Sequence, residues 1–403
     1  MSTEKQGVGS GPLEGVLVLD LSRALAGPYC TMVLGDLGAT VLKAEVPGRG
    51  DDSRGYLPLE DGQSGYFATF NRNKRSFTLN LRAPEGQDLC RRLARRADVL
   101  VENFSPGTME GWGLGHEALR EENPRLVYCS ISGFGQTGPE SSKLAFDITA
   151  QARGGLMGLT GFPDAPPTRV GSSLGDIATG MFAANAVCAA LYRRSVTGRG
   201  DRLDLAMVDS VFAILENALV RAQLEPLPPG RMGSAHASAA PYDVYPTADG
   251  WLVLGCATRP TWERLCAVME RPDLADHPLF ATNEARIAHL VELTETLSAW
   301  TRTLPTDEAV ALLEASQVPA APVRGVTELL GDKQLAARDM LVPSSLPGGR
   351  EVLLPGCPMH FAENPSGIRL APPLLGEHND LVHRELLGLS EGEIETLKGK
   401  GIL

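Results

Sequence analysis

Short apolar runs alternate with helical segments through the first third of the chain. Continuous apolar runs are typical of parallel strands that are buried on both faces of a sheet. The predicted strands are 15–20, 40–45, 76–81, 98–103 and 126–132. Helical segments at 28–37 and 84–96 separate the first strands, and Pro84 occupies the first helical position that proline favours. This pattern predicts an α/β fold with an open, doubly wound, Rossmann-like sheet, which binds ligands at the carboxyl ends of its strands.

The second half of the chain changes character after a further strand at 202–207 and a break at 226–230. The runs 241–246 and 251–256 flank an Asp-Gly turn and predict a hairpin, followed by helical patterns. We therefore expect a smaller α+β domain inserted in the chain. The predicted divisions are a disordered leader at 1–12, a large α/β domain at 13–227, the small domain at 228–325, and a return to the large domain at 326–403.

Polar residues follow the predicted strands at the edge where a ligand would bind. They include Arg23, Glu45, Asn103 and the glycine-rich turn 133–138. The segment 22–28 replaces the G-x-G-x-x-G turn that a nicotinamide dehydrogenase needs after its first strand. The sequence also contains no P-loop, G-x-S-x-G or H-E-x-x-H motif.

Asp176 is the most informative single residue. It follows a Gly/Ser stretch and directly precedes a small-residue segment, 177–191, that is predicted to be helical. One interpretation is a helix cap, a common role for aspartate. The other is a nucleophile, held ionised by the helix start and approachable because Gly171 and Gly175 leave the backbone open. The residue and its neighbours alone leave both interpretations open.

Length, charge and cysteine content argue against several classes of protein. The 403 residues are enough for two domains or one large one with an insertion, and the net charge of −12 argues against binding nucleic acid or an anionic membrane surface. No apolar run of 18 residues and no signal-like segment is evident. The seven cysteines form no C-x-x-C pair and the seven histidines show no ligand spacing. We expect a cytoplasmic protein with reduced cysteines and no metal.

Several segments together resemble the class III CoA-transferases, the family that includes formyl-CoA and carnitine CoA-transferases. The matching segments are 13–20, 26–28, 35–45, 71–76, 97–104, 134–139, 145–147, 175–176 and 373–378. They span almost the whole chain in the family's order. The segment 231–242 is most similar to the succinyl-CoA:dicarboxylate branch, of the glutarate type.

The resemblance implies a fold, a reaction and an assembly. It implies a large α/β domain with an inserted small domain, in an interlocked, ring-like homodimer. The implied reaction moves CoA from an acyl-CoA, with succinyl-CoA as the expected donor, to a short dicarboxylate. It proceeds through an aspartyl anhydride and an aspartyl-CoA thioester, with no permanently bound cofactor. The expected partners are acyl-CoA and carboxylic acids, without nucleic acid or membrane.

The resemblance also assigns candidate site residues. Asp176 is the implied catalytic residue, with Asp147 and Gly175 as possible support. Asp147 is alternatively a structural carboxylate that pairs with a local arginine. The positions that the resemblance assigns to CoA binding are Leu25, Ala26, Leu79, Asn80, Leu81, Arg82, Asn103, Phe104, Ser105 and Ala145.

Some positions depart from the family pattern. Val46 and Gly111 replace arginines of formyl-CoA transferase, so Arg49, Arg54 and Arg82 are candidates for the CoA phosphates. The family's glycine-rich loop corresponds to 255–260, which keeps one glycine. Two residues of the small domain are possible contacts for the acceptor acid, each with a plain structural role as the alternative. They are His236 and Arg259.

Three other functions fit the same scaffold. A 2-methylacyl-CoA racemase needs two opposed acid/base groups, but Phe146 occupies the position of the racemase histidine. A CoA-dependent lyase or hydratase stays possible from sequence. A non-catalytic acyl-CoA-binding protein would have no use for the Gly175-Asp176 pair.

Overall fold

The computed structural model describes residues 11–346 and 349–403, so most of the predicted leader at 1–12 lies outside the described residues. The described chain divides into two compact units. The first contains the residues up to Leu156 together with Val170–Asn217 and Asp332–Leu403. The second contains Met157–Arg169 and Ala218–Gly331. The second unit therefore begins earlier than the predicted 228 and also takes a separate segment from the first half of the chain.

A six-stranded sheet forms the centre of the first unit. Its strands are β1 (Leu17–Asp20), β2 (Thr40–Glu45), β5 (Lys74–Thr78), β6 (Val99–Glu102), β7 (Val127–Ser132) and β8 (Arg202–Ala206). Their order is β5-β2-β1-β6-β7-β8 and every pairing is parallel. The predicted doubly wound α/β fold is confirmed. The short strands β3 (Leu59–Glu60) and β4 (Gln63–Ser64) form a hairpin outside this sheet.

The strand order reverses at β1. The chain first builds outward from β1 through β2 to β5, and then returns to the other side of β1 to add β6, β7 and β8. In open α/β sheets the crevice at such a reversal, outside the carboxyl ends of the strands, is where ligands bind. The carboxyl ends of β1 and β6 lead into the connections that begin at Leu21 and Asn103.

Both faces of the sheet are covered, which explains the continuous apolar runs of the strands. Val18 and Val99 pack in one core with α1 (Ala26–Asp36) and α8 (Leu174–Thr197), whereas Leu19 and Leu100 point into a second core on the other face. The other helices of the first unit are α2 (Gly65–Asn71), α3 (Pro84–Ala94), α4 (Thr108–Gly111), α5 (His116–Glu122), α6 (Asp147–Arg153), α9 (Met207–Ala213), α15 (Lys333–Ala337) and α16 (Glu391–Gly399). A π-helical turn covers Asp380–Leu386, and a 3₁₀ turn covers Asp52–Gly55.

Within the described residues, one helix is long and apolar enough to cross a membrane by length and composition alone. This helix is α8, and half of its apolar window is buried. It packs against α1 and the sheet. The core helix of a soluble protein passes the same test, so α8 is weak evidence for a membrane span.

The second unit has a sheet and core of its own. The predicted hairpin is confirmed as β9 (Tyr242–Pro246) and β10 (Trp251–Gly255), and β11 (Ala320–Pro322) completes an antiparallel sheet in the order β11-β10-β9. Its helices are α7 (Leu156–Leu159), which begins at the last residue of the first unit, α10 (Ala218–Leu224), α11 (Arg259–Val268), α12 (Asn283–Ala288), α13 (Leu290–Thr301) and α14 (Thr306–Ala315). The fully buried Trp262 belongs to this core. A separate hairpin of the first unit joins β12 (Leu341–Ser345) to β13 (Glu351–Pro355).

Candidate active site

Asp176 lies in the first turn of α8, at the third helical position, after Ser173 at the N-cap. The prediction that Asp176 precedes the helix is therefore wrong by three residues, and the interpretation as an N-cap is excluded. The backbone N–H of Ala26, at the start of α1, donates a hydrogen bond to the Asp176 carboxylate. Two helix starts thus meet at this side chain.

Small residues allow α1 and α8 to approach closely enough for this contact. A Cβ atom on Gly180 would lie 2.8 Å from the Ala26 carbonyl oxygen and 2.9 Å from the Tyr29 Cβ. Real Cβ atoms do not tolerate such separations from backbone, because interiors are already close-packed. The small-residue composition of α8 therefore serves to place Asp176 against Ala26.

Gly180→Ala should separate the two helices. We expect a loss of about 1–3 kcal/mol in the free energy of unfolding, because an added methyl group overpacks this contact. The measurement is denaturant unfolding. Gly111→Ala is the matched control, since nothing lies within 4 Å of a Cβ at that helical glycine. An equal effect of both substitutions would contradict the close-approach account.

A second carboxylate lies beside Asp176. Asp147, the first residue of α6, is buried, and its two oxygens accept hydrogen bonds from the Gly175 N–H at 2.8 Å and from Gln151 Nε2 at 2.8 Å. A Cβ on Gly175 would lie 3.1 Å from the Asp147 carboxylate, so glycine leaves room for this bond. The structure therefore brings Asp147, Gly175 and Asp176 together as predicted.

Burial and the neighbouring charge raise the pKa of Asp176. Desolvation is the larger cause and the Asp147 carboxylate adds to it, whereas the Ala26 N–H opposes the shift; the pKa rises from 3.8 to about 7. The helix start favours the ionised carboxylate, but desolvation and the like charge of Asp147 outweigh the favourable donors and raise the pKa. Asp176 titrates near neutral pH, as a poised catalytic group does.

The N–H groups at the start of α8 are already engaged. The Gly175 N–H donates to Asp147, and the N–H groups of Leu174 and Ile177 donate to Ser172 and Ser173 carbonyl oxygens. These donors are not free to hold a developing oxyanion. The N–H that reaches the Asp176 carboxylate comes from α1 instead.

Two tyrosines near Asp176 were missed by sequence reasoning. Burial raises the pKa of Tyr66 to about 12, and the charge of Asp176 is the next cause; the pKa of Tyr56 is raised by burial and then by Asp52, Asp51 and Asp176. The two rings pack edge to face with centroids 5.3 Å apart. Both lie in the connection between β2 and β5, where no helix was predicted from the sequence, and no local signal linked either tyrosine to Asp176.

A cavity of about 390 Å³ lies at the carboxyl ends of β1, β2, β5 and β6. It brings together many of the predicted polar strand-end residues and CoA-binding positions. Its lining includes Arg23, Glu45, Arg49, Leu79, Asn80, Leu81, Arg82, Phe104 and Ser105. A larger, open depression of about 780 Å³ lies between α3 and α16, but none of the predicted site residues lines it. The smaller cavity is therefore the better candidate for the ligand site, because the predicted site residues line it.

Four predicted CoA-binding positions lie outside this lining. Asn103 joins β6 to the connection after β1: its side chain accepts from the Arg23 N–H at 2.8 Å and donates to the Arg23 carbonyl oxygen at 2.8 Å. Leu25 and Ala26 are buried at the start of α1. Ala145 packs against Gly133, where an added Cβ would lie 2.4 Å from the Ala145 Cβ. Asn103 thus holds Arg23, which lines the cavity, and Ala26 contacts Asp176.

The three arginines predicted for the CoA phosphates differ in their surroundings. Arg49 and Arg82 are exposed at the cavity, and Arg49 pairs with Asp52. Arg54 makes a two-pronged ion pair with Glu45, at 2.7 Å for each bond, and stacks over the Phe67 ring at 3.7 Å. Arg54 therefore stabilises the loop after β2, and a contact between Arg54 and a CoA phosphate would compete with its pairing to Glu45.

The predicted acceptor contacts lie in the second unit. His236 Nδ1 accepts from the Ser238 N–H at 3.1 Å, and its ring packs beside Tyr242. Arg259 donates to Glu263 at 2.8 Å and to Asp276 at 2.7 Å. A contact between Arg259 and an acceptor acid would have to break one of these pairs.

The loop before Arg259 is ordered by a cap. β10 ends at Gly255, and Thr258 caps α11 through a reciprocal pair of hydrogen bonds with Thr261. Capping boxes of this kind fix the entry of the chain into a helix.

Comparisons with known proteins identify the family. The model of CoA-transferase family III matches residues 13–379. The succinyl-CoA–D-citramalate CoA-transferase of Chloroflexus aurantiacus is 38% identical over 97% of this chain and 98% of its own length. The succinyl-CoA:glutarate CoA-transferase of Mus musculus is 37% identical over 97% of this chain and 90% of its own length.

A solved structure agrees with this result. A CAIB/BAIF family protein from Brucella suis superposes with a TM-score of 0.83 and 37% identity, covering 93% of this chain and 99% of its own. The chain belongs to CoA-transferase family III. It is an enzyme of the class III CoA-transferase type, as the sequence motifs predict.

Proposed function

We propose that this enzyme transfers CoA from succinyl-CoA to a short dicarboxylate, with Asp176 as the covalent nucleophile. The observation that carries the proposal is the setting of Asp176. It is a largely buried carboxylate that titrates near neutral pH and receives the Ala26 N–H. The connection that leads to Ala26 also lines the cavity through Leu21 and Arg23.

The proposed reaction has four steps and consumes no water. The Asp176 carboxylate attacks the donor thioester carbonyl, so a C–O bond forms, the C–S bond breaks, and a mixed anhydride and CoA thiolate result. The thiolate attacks the aspartyl carbonyl, which gives an aspartyl-CoA thioester and releases the donor acid. The acceptor carboxylate then attacks this thioester, so a C–O bond forms, the C–S bond breaks, and a second mixed anhydride and CoA thiolate result. The thiolate attacks its acceptor acyl carbon, releasing the new acyl-CoA and free Asp176.

An aspartate suits this chemistry better than a serine. An anhydride and a thioester keep the carbonyl activated throughout, whereas a seryl ester would lose that activation. Low dielectric around Asp176 removes the water that weakens a carboxylate nucleophile and that would hydrolyse the anhydride. Above pH 7 the side chain is mostly ionised, because its pKa is about 7.

The identities of donor and acceptor follow from similarity. The relatives from Chloroflexus and mouse are named for succinyl-CoA with D-citramalate or glutarate, which are short dicarboxylic acids. We propose the same donor and acceptor class here, with acyl-CoA as substrate rather than as resident cofactor. We further propose an interlocked homodimer, as the sequence resemblance implies, and a cytoplasmic location without membrane attachment, as the unclustered cysteines and the net charge indicate.

Arg82→Gln should weaken acyl-CoA binding. Arg82 is exposed at the cavity, and a planar guanidinium with several N–H donors suits a phosphate. We expect the KM for acyl-CoA to rise about tenfold with kcat little changed, since a charge-assisted contact contributes about 1–2 kcal/mol. Steady-state kinetics measures this. Arg120→Gln on α5, exposed and outside the cavity lining, is the control; an unchanged KM in Arg82→Gln would contradict the assignment.

The proposed function is tested by product analysis. The enzyme is mixed with succinyl-CoA and separately with glutarate, D-citramalate, mesaconate, itaconate, malate, oxalate or formate, and the acyl-CoA products are identified by LC–MS. We expect a new acyl-CoA with at least one dicarboxylate and equimolar loss of succinyl-CoA. If no acid is activated, the proposed substrates are wrong. Exchange of α-deuterium on 2-methylacyl-CoA would then indicate a racemase, although Phe146 carries no titratable group.

A further inference from the structure

In the connection between β1 and α1, residues 21–25, three consecutive backbone N–H groups donate to side chains. The Ser22 N–H donates to Asp20 at 2.9 Å, and the Arg23 N–H donates to Asn103 at 2.8 Å. The Ala24 N–H donates to Asp51 at 3.2 Å. These acceptors come from three different parts of the first unit, so the path of the backbone into α1 is determined by side chains around it.

Ala24 needs this support. Its φ is 64°, a left-handed conformation that costs a residue with a Cβ atom of order 1 kcal/mol and persists only where the surroundings impose it. Gly27 adds to the constraint, because a Cβ there would lie 2.2 Å from the Ser22 Cβ. The turn is therefore compact and backed by the first turn of α1.

A buried ion pair lies beneath this connection. Lys43 Nζ lies 2.8 Å from Asp51 Oδ2, and both side chains are at most 1% exposed. Lys43 Nζ also donates to the Ser22 carbonyl oxygen at 3.0 Å, while Asp51 Oδ1 accepts from Ala24 and from the Ser53 N–H and hydroxyl. The pair thus contacts both ends of the turn. Burial alone would raise the pKa of Asp51, but Lys43 and the Ser53 donors hold it well below its usual range.

We propose that Lys43 and Asp51 are positioning residues for the transfer reaction: their buried pair fixes the connection 21–25 and thereby aims the Ala26 N–H at Asp176. The side chains of Lys43 and Asp51 act on Asp176 only through the connection 21–25. A pair of buried charges is a costly way to stabilise a fold, and apolar residues of similar size often serve as well. We infer that the pair fixes the orientation of the connection 21–25. An ion pair with several hydrogen bonds holds one geometry, whereas apolar packing allows several.

The consequence for Asp176 follows from its surroundings. Asp147 from α6 and the phenols of Tyr66 and Tyr56 face Asp176, and the Ala26 N–H is the donor that favours its charged form. If the N–H moves away, the ionised nucleophile loses this donor, and the carbonyl oxygen of the aspartyl intermediate loses it as well. The inference rests on the proposed transfer function.

The test is the charge-neutral double variant Lys43→Met/Asp51→Asn. It removes one positive and one negative charge 2.8 Å apart, so it leaves the long-range field at Asp176 nearly unchanged. We expect kcat for transfer to fall about 10- to 100-fold, as for a misplacement of about 1 Å. We also expect a smaller change in KM and an acidic limb of the kcat–pH profile that moves to higher pH. A purely structural pair would lower the melting temperature without moving this limb.

The matched control is Arg72→Met/Asp36→Asn. This pair is also buried, with 2.6 Å between its atoms, and neither residue contacts the connection 21–25 in the described hydrogen bonds and ion pairs. We expect it to reduce stability while leaving the acidic limb in place. If Lys43→Met/Asp51→Asn does not fold, the equally charge-neutral Lys43→Gln/Asp51→Asn keeps polar side chains at both positions and should shift kcat and the limb in the same direction.

An unchanged kcat and limb in the Lys43/Asp51 variants, or an equal shift in the control, would overturn the inference. Absence of transfer in the unmodified enzyme would instead overturn the proposed function, so the two failures are distinguishable.

Discussion

Asp176→Ala should abolish CoA transfer while leaving acyl-CoA binding intact. We expect kcat to fall at least 10³-fold, because removal of a covalent nucleophile leaves only the contribution of binding and orientation. The Kd for acyl-CoA should change less than about threefold, since Asp176 is not among the residues lining the 390 Å³ cavity. Transfer is followed by LC–MS and binding by calorimetry.

Asp88→Asn is the control for this substitution. Asp88 is an exposed carboxylate on α3 and lies outside the proposed site, so its removal should change neither quantity. Residual transfer by Asp176→Ala at more than about one-tenth of the normal rate would contradict the nucleophile assignment. Loss of binding together with activity would mean that Asp176 serves the cavity rather than the chemistry.

Asp176→Asn should make the protein more stable at pH 8. The pKa of Asp176 is raised from 3.8 to about 7 in the folded state, so the ionised carboxylate opposes folding. The full shift corresponds to about 4 kcal/mol at 1.36 kcal/mol per pKa unit. Because the side chain is partly exposed, we expect a gain of about 1–3 kcal/mol in the free energy of unfolding. A poised catalytic group that costs stability is a common trade-off.

The stability gained in Asp176→Asn should depend on pH. A raised folded-state pKa contributes stability below pH 3.8, and that contribution is lost as the pH rises through about 7. The advantage of Asp176→Asn should therefore be small at pH 4.5 and complete at pH 8. Denaturant unfolding at both values measures it, with Asp88→Asn as the control. An advantage that does not grow with pH would mean that Asp176 keeps an ordinary pKa.

The sequence predicts the sheet well for a physical reason. Strands buried on both faces leave continuous apolar runs, so β2 is predicted at the residues where it lies, and β1, β6 and β7 within two residues at each end. The strand β5 is predicted at 76–81 but lies at Lys74–Thr78. The start of β5 could not be predicted, because a lysine in the sequence resembles a surface residue. In the structure Lys74 is buried and pairs with Asp20 at 3.1 Å.

The site is predicted in outline but not in its electrostatics. The resemblance assigns Asp176 and several cavity residues, because those positions follow family motifs. The pKa of Asp176 is raised first by burial and then by the charge of Asp147, which lies 29 residues earlier and becomes a neighbour only through the packing of α6 against α8. The buried pair of Lys43 and Asp51 is likewise invisible, because charged residues at a strand and its following loop resemble solvated ones.

The extent of the second unit could not be predicted for a similar reason. Its segment Met157–Arg169 is joined to the rest of that unit by a bridge between Gly161 and Gly233, and Arg231 donates to carbonyl oxygens of Phe162, Pro163 and Ala165. These contacts join positions about 70 residues apart in sequence. No local pattern in 157–169 indicates a departure from the first unit.

The most direct test of the central claim is to trap the covalent intermediate. The enzyme is mixed with succinyl-CoA without an acceptor acid, quenched rapidly in acid and digested, and the peptides are analysed by mass spectrometry. We predict a CoA adduct on Asp176, which is lost when glutarate or another accepted acid is added before the quench and is absent from Asp176→Ala. An adduct on another residue, or active transfer with no adduct on Asp176 at any time point, would contradict the account.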